Sequence, residues 1–413
     1  MRLIMILALS MLVACASDKE DFGAKPRAAK RINEFTPEER RRLAPTEIFV
    51  AVLNNDVEET KRLSEATPGL LETTNGDGDR PLGLALKLGS FDVAEFLISR
   101  LTVFSIKHQN AKGESYLFIA SRVGAVKYIN LIGDIEYNTQ GVHFDLDEID
   151  LLNNEGQNAL FVAADRQTVE ALKAQNRRQY ALHWDFAFQE DKHGQTFIHT
   201  AARDGREDVL LWASQEFCDP TSWESSDSWM SYPTVPLKYA ARWFQSFLPD
   251  WYVPWALMVN EQTSEVDDHG DGVSQIFNQT ALHLAVENRQ WKSVRALAGC
   301  RWLDYDLLNS QNENQLQTLL KNLNPLAATA DEDARAAFHL LLESRTPFAT
   351  WSTLTARVNN RNAAGESALH VAARLNDPYF YNRLKEFGDI YQTNNEGVTP
   401  DQLFQRQRAI VGN

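Results

Sequence analysis

Cysteine is scarce, with three residues in 413, too few for a disulfide scaffold or a cysteine-rich zinc site. Basic residues are outnumbered, 41 against 56 acidic, and the net charge of −15 disfavours nucleic-acid binding through bulk charge. Glycine (20) and proline (14) stand at ordinary levels, which excludes collagen-like and low-complexity chains. No apolar run reaches the about 20 residues that a membrane-spanning helix needs. Also missing are a Gly-x-Ser-x-Gly elbow, a His-Glu-x-x-His pair, a phosphate loop and a dinucleotide fingerprint. No catalytic residue, cofactor or small-molecule substrate is therefore expected. What is present is 44% hydrophobic and 10% aromatic residues, too many for a disordered chain, over a length greater than one compact core usually holds.

The N-terminus carries Arg2 and then an apolar run from Leu3 to Val13, broken only by Ser10. A run of that length fits the apolar region of a secretory signal rather than a transmembrane helix. It ends in Leu12-Val13-Ala14-Cys15, which resembles the lipobox of bacterial lipoproteins. The resemblance implies cleavage before Cys15, acylation of its thiol, and a membrane anchor. Ala16 follows, where aspartate would favour the inner membrane in enterobacterial lipoproteins, so the resemblance points to the outer membrane and a periplasm-facing protein. Residues 16–34 read as a polar tether, roughly 60 Å at full extension.

The rest of the chain repeats itself. Thr196, Ile198, His199, Ala201, Ala202 and Gly205 recur in spacing as Thr280, Leu282, His283 and Ala285, and again as Ser367, Leu369, His370, Ala372 and Ala373. Weaker copies begin at Thr46, Arg80, Ser115 and Asn158, and two concealed ones are read at Val235-Pro236-Leu237 and Asn324-Pro325-Leu326. Two residues past each start lie Ile48, Leu82, Leu117, Leu160, Ile198, Leu237, Leu282, Leu326 and Leu369. Five past lie Ala51, Ala85, Ala120, Ala163, Ala201, Ala240, Ala285, Thr329 and Ala372. Seventeen past, all entries but Gln175 are apolar or aromatic. The starting Thr, Ser or Asn suits a helix N-cap, and Pro81, Pro236 and Pro325 suit the first helical position.

The motif resembles the ankyrin signature Thr-Pro-Leu-His-x-Ala-Ala-x-x-Gly. It implies an all-α ankyrin-repeat solenoid of about nine helix pairs plus a truncated C-terminal cap beginning at Thr399-Pro400, with short hairpin turns and enlarged loops. The expected organisation is a signal peptide at 1–14, the lipidated Cys15 and tether at 15–34, a capping helix at 35–44, repeats at 45–404 and a tail at 405–413.

Several groups of residues are candidate sites. His199, His283 and His370 occupy equivalent places in separate repeats and are expected to brace loops, not to share a metal. Cys218 and Cys300, with one repeat between them, are expected about 20 Å apart and unbridged. Asn75-Gly-Asp77-Gly-Asp79 and the acidic run at 267–272 resemble calcium loops but have Leu86 and Asn278 where the bidentate Glu belongs. They read as turns. Seven residues past the starts lie Lys87, Arg122, Arg203, Arg242 and Arg374, with Arg166 one place further. These form either an ordinary solvated stripe or a groove for acidic partner residues. Trp223, Trp229 and Trp243 belong to an aromatic-rich stretch that reads as core packing or as partner contact.

Ankyrin proteins mainly bind other proteins. The resemblance therefore implies a membrane-anchored protein-binding module, gripping its partner with the groove stripe and the hairpin tips Asp77, Asp79, Lys112, Glu114, His193, Gln195 and Glu366. An immunity protein neutralising a periplasm-acting toxin is the more specific form. A scaffold or protective partner of an envelope or oxidative-stress enzyme is the alternative, and an envelope hydrolase the opposing class.

Overall fold

A computed structural model describes residues 35–101, 103–138, 148–179, 187, 189–218, 279–300, 303–323, 332–344 and 354–411. The described residues are all-helical. In chain order the helices are α1 (Pro37–Leu43), α2 (Glu47–Leu53), α3 (Val57–Ala66), α4 (Pro81–Leu88), α5 (Phe91–Ile98), α6 (Tyr116–Arg122), α7 (Val126–Asn138), α8 (Arg166–Gln179) and α9 (Phe197–Asp204). There follow α10 (Glu207–Cys218), α11 (Ala281–Glu287), α12 (Trp291–Ala298), α13 (Gln315–Asn322), α14 (Glu332–Glu343), α15 (Leu354–Asn359), α16 (Ala368–Leu375), α17 (Pro378–Lys385) and α18 (Pro400–Val411). A further one-turn α-helix covers Val103–Ile106, and short 3-10 turns cover Pro68–Glu72, Glu148–Asp150 and Ala159–Val162.

Most helices are shorter than the 12–15 residues that hold a helix in isolation, so packing must hold them. They pair and stack in series. A first row runs α2, α4, α6, the 3-10 turn Ala159–Val162, α9, α11, α13, α16 and α18, each packed on the next. A second row, α3, α5, α7, α8, α10, α12 and α14, covers it in the same order, and the T-shaped contact of Phe338 with Phe380 carries the row on to α17. Among the described residues this makes eight layers and a terminal helix.

The small and branched residues of the sequence pattern form the seams. Ile48, Leu82, Leu117, Leu160, Ile198, Leu282 and Leu369 are buried, as are Ala51, Ala85, Ala120, Ala163, Ala201, Ala285 and Ala372. The polar entry, Gln175, is buried too. Its Nε2 donates to Asn130 Oδ1 over 3.3 Å, and its amide lies where a side chain at Gly133 would be. A glycine on one helix thus makes room for a glutamine on the next.

The ends are closed differently. At the front, Thr36 and Glu39 form a reciprocal capping box on α1. At the back, Tyr381 stacks on Phe404 with ring centroids 4.1 Å apart, and Asp401 accepts from the Tyr381 hydroxyl and pairs with Lys385 at 3.2 Å. The final helix runs through Val411, past the expected boundary at residue 404.

Two expectations about concealed repeats are corrected. The layers headed by Thr196 and Thr280 pack directly on each other, α9 on α11 and α10 on α12. No layer therefore separates these two, and residues 219–278, which contain Leu237 and the concealed start at Val235, lie outside the described residues. The other concealed copy starts ten residues early. Its cap is Asn314, with Oδ1 accepting from Gln317 N at 3.0 Å while Gln317 Oε1 accepts from Asn314 N at 3.1 Å. Leu316 and Leu319 take the buried positions assigned to Leu326 and Thr329, and those two lie outside the described residues. The misplacement has a physical cause. Proline after asparagine looks like a helix start, but Asn314 and Gln317 cap equally well without it.

Candidate functional site

The edge of the stack is built from one turn repeated seven times. Asn75 Oδ1 accepts from the backbone N–H of Asp77 and Asp79, at 2.9 and 3.0 Å. The same pair of bonds is made by Asn110, Asn153, Asp191, Asn309, Asn362 and Asn394. These are side-chain turns of the kind that Asn and Asp favour. The fourth residue of each turn is left-handed: Gly78 has φ +77°, and Asn312 takes the same role at φ +57°. A Cβ on Gly78 would lie 2.5 Å from the Ala111 amide, so close approach of the next turn also requires glycine there. Backbone bonds tie turn to turn: Ala111 N to Asp77 O, Asn154 N to Lys112 O, Lys192 N to Glu155 O, Ala363 N to Gln311 O and Asn395 N to Ala364 O.

The histidines are structural braces. His283 Nδ1 accepts from Thr280 N at 3.3 Å, and its Nε2–H donates 3.2 Å to the Glu313 carbonyl of the next layer. His370 does the same between Ser367 and Val398, and His199 caps Thr196. Burial lowers the pKa of His283 to about 4, against the weaker opposing effect of the Glu313 carbonyl. Burial lowers His370 as well. Both bonds of His283 call for a neutral ring. Gln317 performs the same task by other means, donating 2.8 Å to the Glu366 carbonyl.

The basic stripe is real but already occupied. Each cation pairs with the residue just before its own cap. Lys87 lies 2.7 Å from Asp79 and 3.6 Å from Glu114, Arg122 lies 2.5 Å from Glu114, and Arg374 lies 2.5 Å from Glu366. Arg203 reaches Gln195 at 3.3 Å and Asp204 at 3.0 Å. Sequence reasoning missed Lys321, which lies 3.1 Å from Glu313. It occupies the stripe position once the unit is counted from Asn314. In the Thr280 layer the position holds Glu287 instead, accepting from Gln279 at 2.5 Å.

Three expected tip residues are corrected. Asp79, Glu114 and Glu366 are buried, at 1%, 4% and 5% exposure, because their carboxylates anchor these cations. Burial works to raise the pKa of Glu114, but hydrogen bonds from Arg122 and Asn110 outweigh it and hold the carboxyl below its usual range. In the turn read as a possible calcium loop, Asp79 also accepts 2.8 Å from Asn110.

Arg166 does not join the stripe. It opens α8 and donates 2.8 Å to Gln215 on the second row. The Asn158 layer has a 3-10 turn in place of a first helix, and Arg206 satisfies its carbonyls, donating 2.7 Å to Phe161 O and 2.9 Å to Ala163 O. Burial lowers the pKa of that guanidinium to about 10.

Other candidates stand as follows. Asp77 lies 3.4 Å from Arg42 and is half-buried. Lys112 and His193 are exposed at the turn tips, with His193 3.8 Å from Glu155. Gln195 is half-buried. Cys15, Arg242, Trp223, Trp229 and Trp243 lie outside the described residues.

Cys300 is buried and disulfide-bonded, which overturns the expectation that it is unbridged. That expectation assumed a repeat between α10 and α12, and these helices are in contact. The chain's other cysteines are Cys15 and Cys218, and Cys218 is the last residue of α10.

One cleft opens between the Asn314 and Ser367 layers. It encloses about 460 Å³ and is lined by Glu313, Leu320, Lys321, Leu323, Glu366, Val371, Arg374 and Leu375, among others. No metal-binding group of three or more His, Cys, Asp or Glu side chains occurs among the described residues.

Comparison of the chain with protein-family models finds no match, and comparison with curated proteins finds none at a significant level.

Proposed function

We propose that this chain is an ankyrin-repeat, protein-binding module, anchored to a bacterial membrane by a lipid on Cys15 and facing the periplasm. One observation carries the reading. Copies of one turn, four from Asn75 to Asp191 and three from Asn309 to Asn394, are tied edge to edge within each group by main-chain bonds, so the side chains at their tips stand in a fixed row along each group beside the ends of the first helices. Such a row is long, stiff and paid for by structure that needs no ligand. It suits recognition of a folded protein through several small contacts. Lys112 and His193, exposed on either side of the Asn153 turn in the first group, are the tip residues best placed to touch a partner. The acids expected beside them hold the frame rigid instead.

The capping pattern supports the repeat assignment. Thr196–His199, Thr280–His283 and Ser367–His370 each make a reciprocal cap, the chemistry that the ankyrin motif requires at those places. Aliphatic and alanine positions are buried in the matching register.

Photo-crosslinking from positions 112 and 193 in intact envelopes tests the reading. One protein captured at both positions, and lost on Lys112→Glu, is the expected result. Turnover of an envelope substrate abolished by a single substitution would replace binding with catalysis. Cys15→Ala is expected to move the protein from the membrane to the soluble fraction.

A further inference from the structure

The cleft between the Asn314 and Ser367 layers combines an apolar floor with an accessible cationic rim. Its floor is Leu320, Leu323, Val371 and Leu375. Its acids, Glu313 and Glu366, are only 5% exposed and are held by their own turns through Asn309 and Asn362. The cations above them reach water. The Lys321 and Arg374 side chains are 49% and 50% exposed. Lys321 spends its ammonium on Glu313 and on Gln311 at 2.6 Å. Arg374 approaches Glu366 through Nη2 at 2.5 Å, and its Nε and Nη1 make no hydrogen bond among the described residues. Exposed guanidinium N–H groups of this kind suit a partner carboxylate.

The size and spacing narrow the occupant. A volume of about 460 Å³ lies in the range of small-ligand pockets and is too small for a folded element. Val371 and Arg374, three residues apart on α16, are neighbours on one helix face. In an extended segment, side chains on the same face are two residues apart, roughly 6.7 Å. We propose that this cleft receives an acidic residue and, two positions along the same extended segment of a partner protein, an aliphatic residue. The carboxylate meets the open N–H groups of Arg374, and the aliphatic side chain covers Val371 and Leu375. The proposal rests on the protein-binding reading above and names the part of the partner that the first row recognises.

Selection of random peptides displayed on phage against the purified full chain tests it. The expected outcome is enrichment of Asp or Glu followed two residues later by Leu, Ile, Val or Met. Affinity of the synthesised winner should fall tenfold or more when its acid is changed to the amide. A similar fall is expected with the chain variant Glu366→Gln/Arg374→Gln, which removes the cation without leaving a buried acid unpaired. Helical circular dichroism and an unchanged melting curve establish that the variant is folded; if it is not, Val371→Gln, which keeps the ion pair, takes its place. Enrichment of basic or purely aromatic peptides, or affinity untouched by the cleft substitutions, overturns the proposal. Peptides that bind independently of the cleft but are lost on Lys112→Glu overturn the cleft while leaving the protein-binding reading intact. A selection that yields no peptide also overturns the cleft, and the crosslinking experiment then decides the broader reading alone.

Discussion

The Thr280 and Asn314 layers solve one problem with different residues. Each must satisfy the N–H at the start of its first helix and also hold the carbonyl that precedes the next cap. In the Thr280 layer His283 does both, through Nδ1 and Nε2. In the Asn314 layer Gln317 does both, through Oε1 and Nε2. The position therefore requires an acceptor and a donor at opposite ends of a short planar group, and an imidazole or a carboxamide meets that need. A search tuned to histidine finds the first layer and misses the second.

The comparison can be broken most forcefully at the Arg357 joint of the Asn314 layer. The Arg357 guanidinium is almost fully buried, donating to Asp306 at 2.7 Å and to the carbonyls of Leu341 and Ser344, while its own carbonyl accepts from Asn314 Nδ2 at 2.9 Å. Arg357→Ala strands Asp306 and two carbonyls, and a loss of about 3–5 kcal/mol is expected in denaturant unfolding. No counterpart of this clamp occurs at the Thr280 cap among the described residues, so its loss should unfold the Asn314 layer first in hydrogen exchange.

Acid separates the two braces next. The folded-state pKa of His283 lies near 4, below the value of about 6.5 for the unfolded chain. The unfolded state thus binds the proton first. Stability from this group is fully present above about pH 6.5 and is lost as pH falls toward 4, by about 3 kcal/mol at the acid limit. Burial lowers His370 as well, so its contribution falls in the same direction. Gln317 does not titrate, and unfolding of a His283→Gln variant should show a shallower acid slope than the parent.

Truncation comes third. His283→Ala and Gln317→Ala each leave the buried N–H of the cap without its partner and remove one of the two hydrogen bonds to the next layer's carbonyl, and each is expected to cost about 1–3 kcal/mol. The smallest effect is expected for the exchanges His283→Gln and Gln317→His, below about 1 kcal/mol at pH 7 if the geometry of the brace is what matters. A large loss on exchange, comparable to truncation, would show that the two positions are not equivalent.

Much of the frame was legible because the seams demand small and aliphatic residues at fixed intervals. Ile48, Ala51, Leu282 and Ala285 are buried where that rule puts them. Register failed at Asn314 because capping chemistry is degenerate and Asn324-Pro325 offered a more familiar start. Layer order failed between Thr196 and Thr280 because Leu237 and Ala240 match the seam spacing of a layer, whereas the two flanking layers pack directly on each other. The stripe was legible as a row of cations, but not as a row of ion pairs. Asp79, Glu114 and Glu366 stand eight residues earlier, beyond the reach of any single-helix pattern. Gln195, Glu313 and Gln279 extend the pattern: in six of the eight described layers the residue before the cap meets the residue seven after it. The same packing error hid the Cys300 disulfide, and a non-reducing peptide map is expected to pair Cys300 with Cys218.

The central claim is that each layer rests directly on its neighbour, including across the long interval between Thr196 and Thr280. Spin labels at positions 203 and 287, the stripe positions of those two layers, measure this directly through dipolar broadening. Adjacent first helices should place the labelled backbones about 8–10 Å apart. A separation near twice that value would mean that residues 219–278 insert a layer of their own, and it would contradict the account.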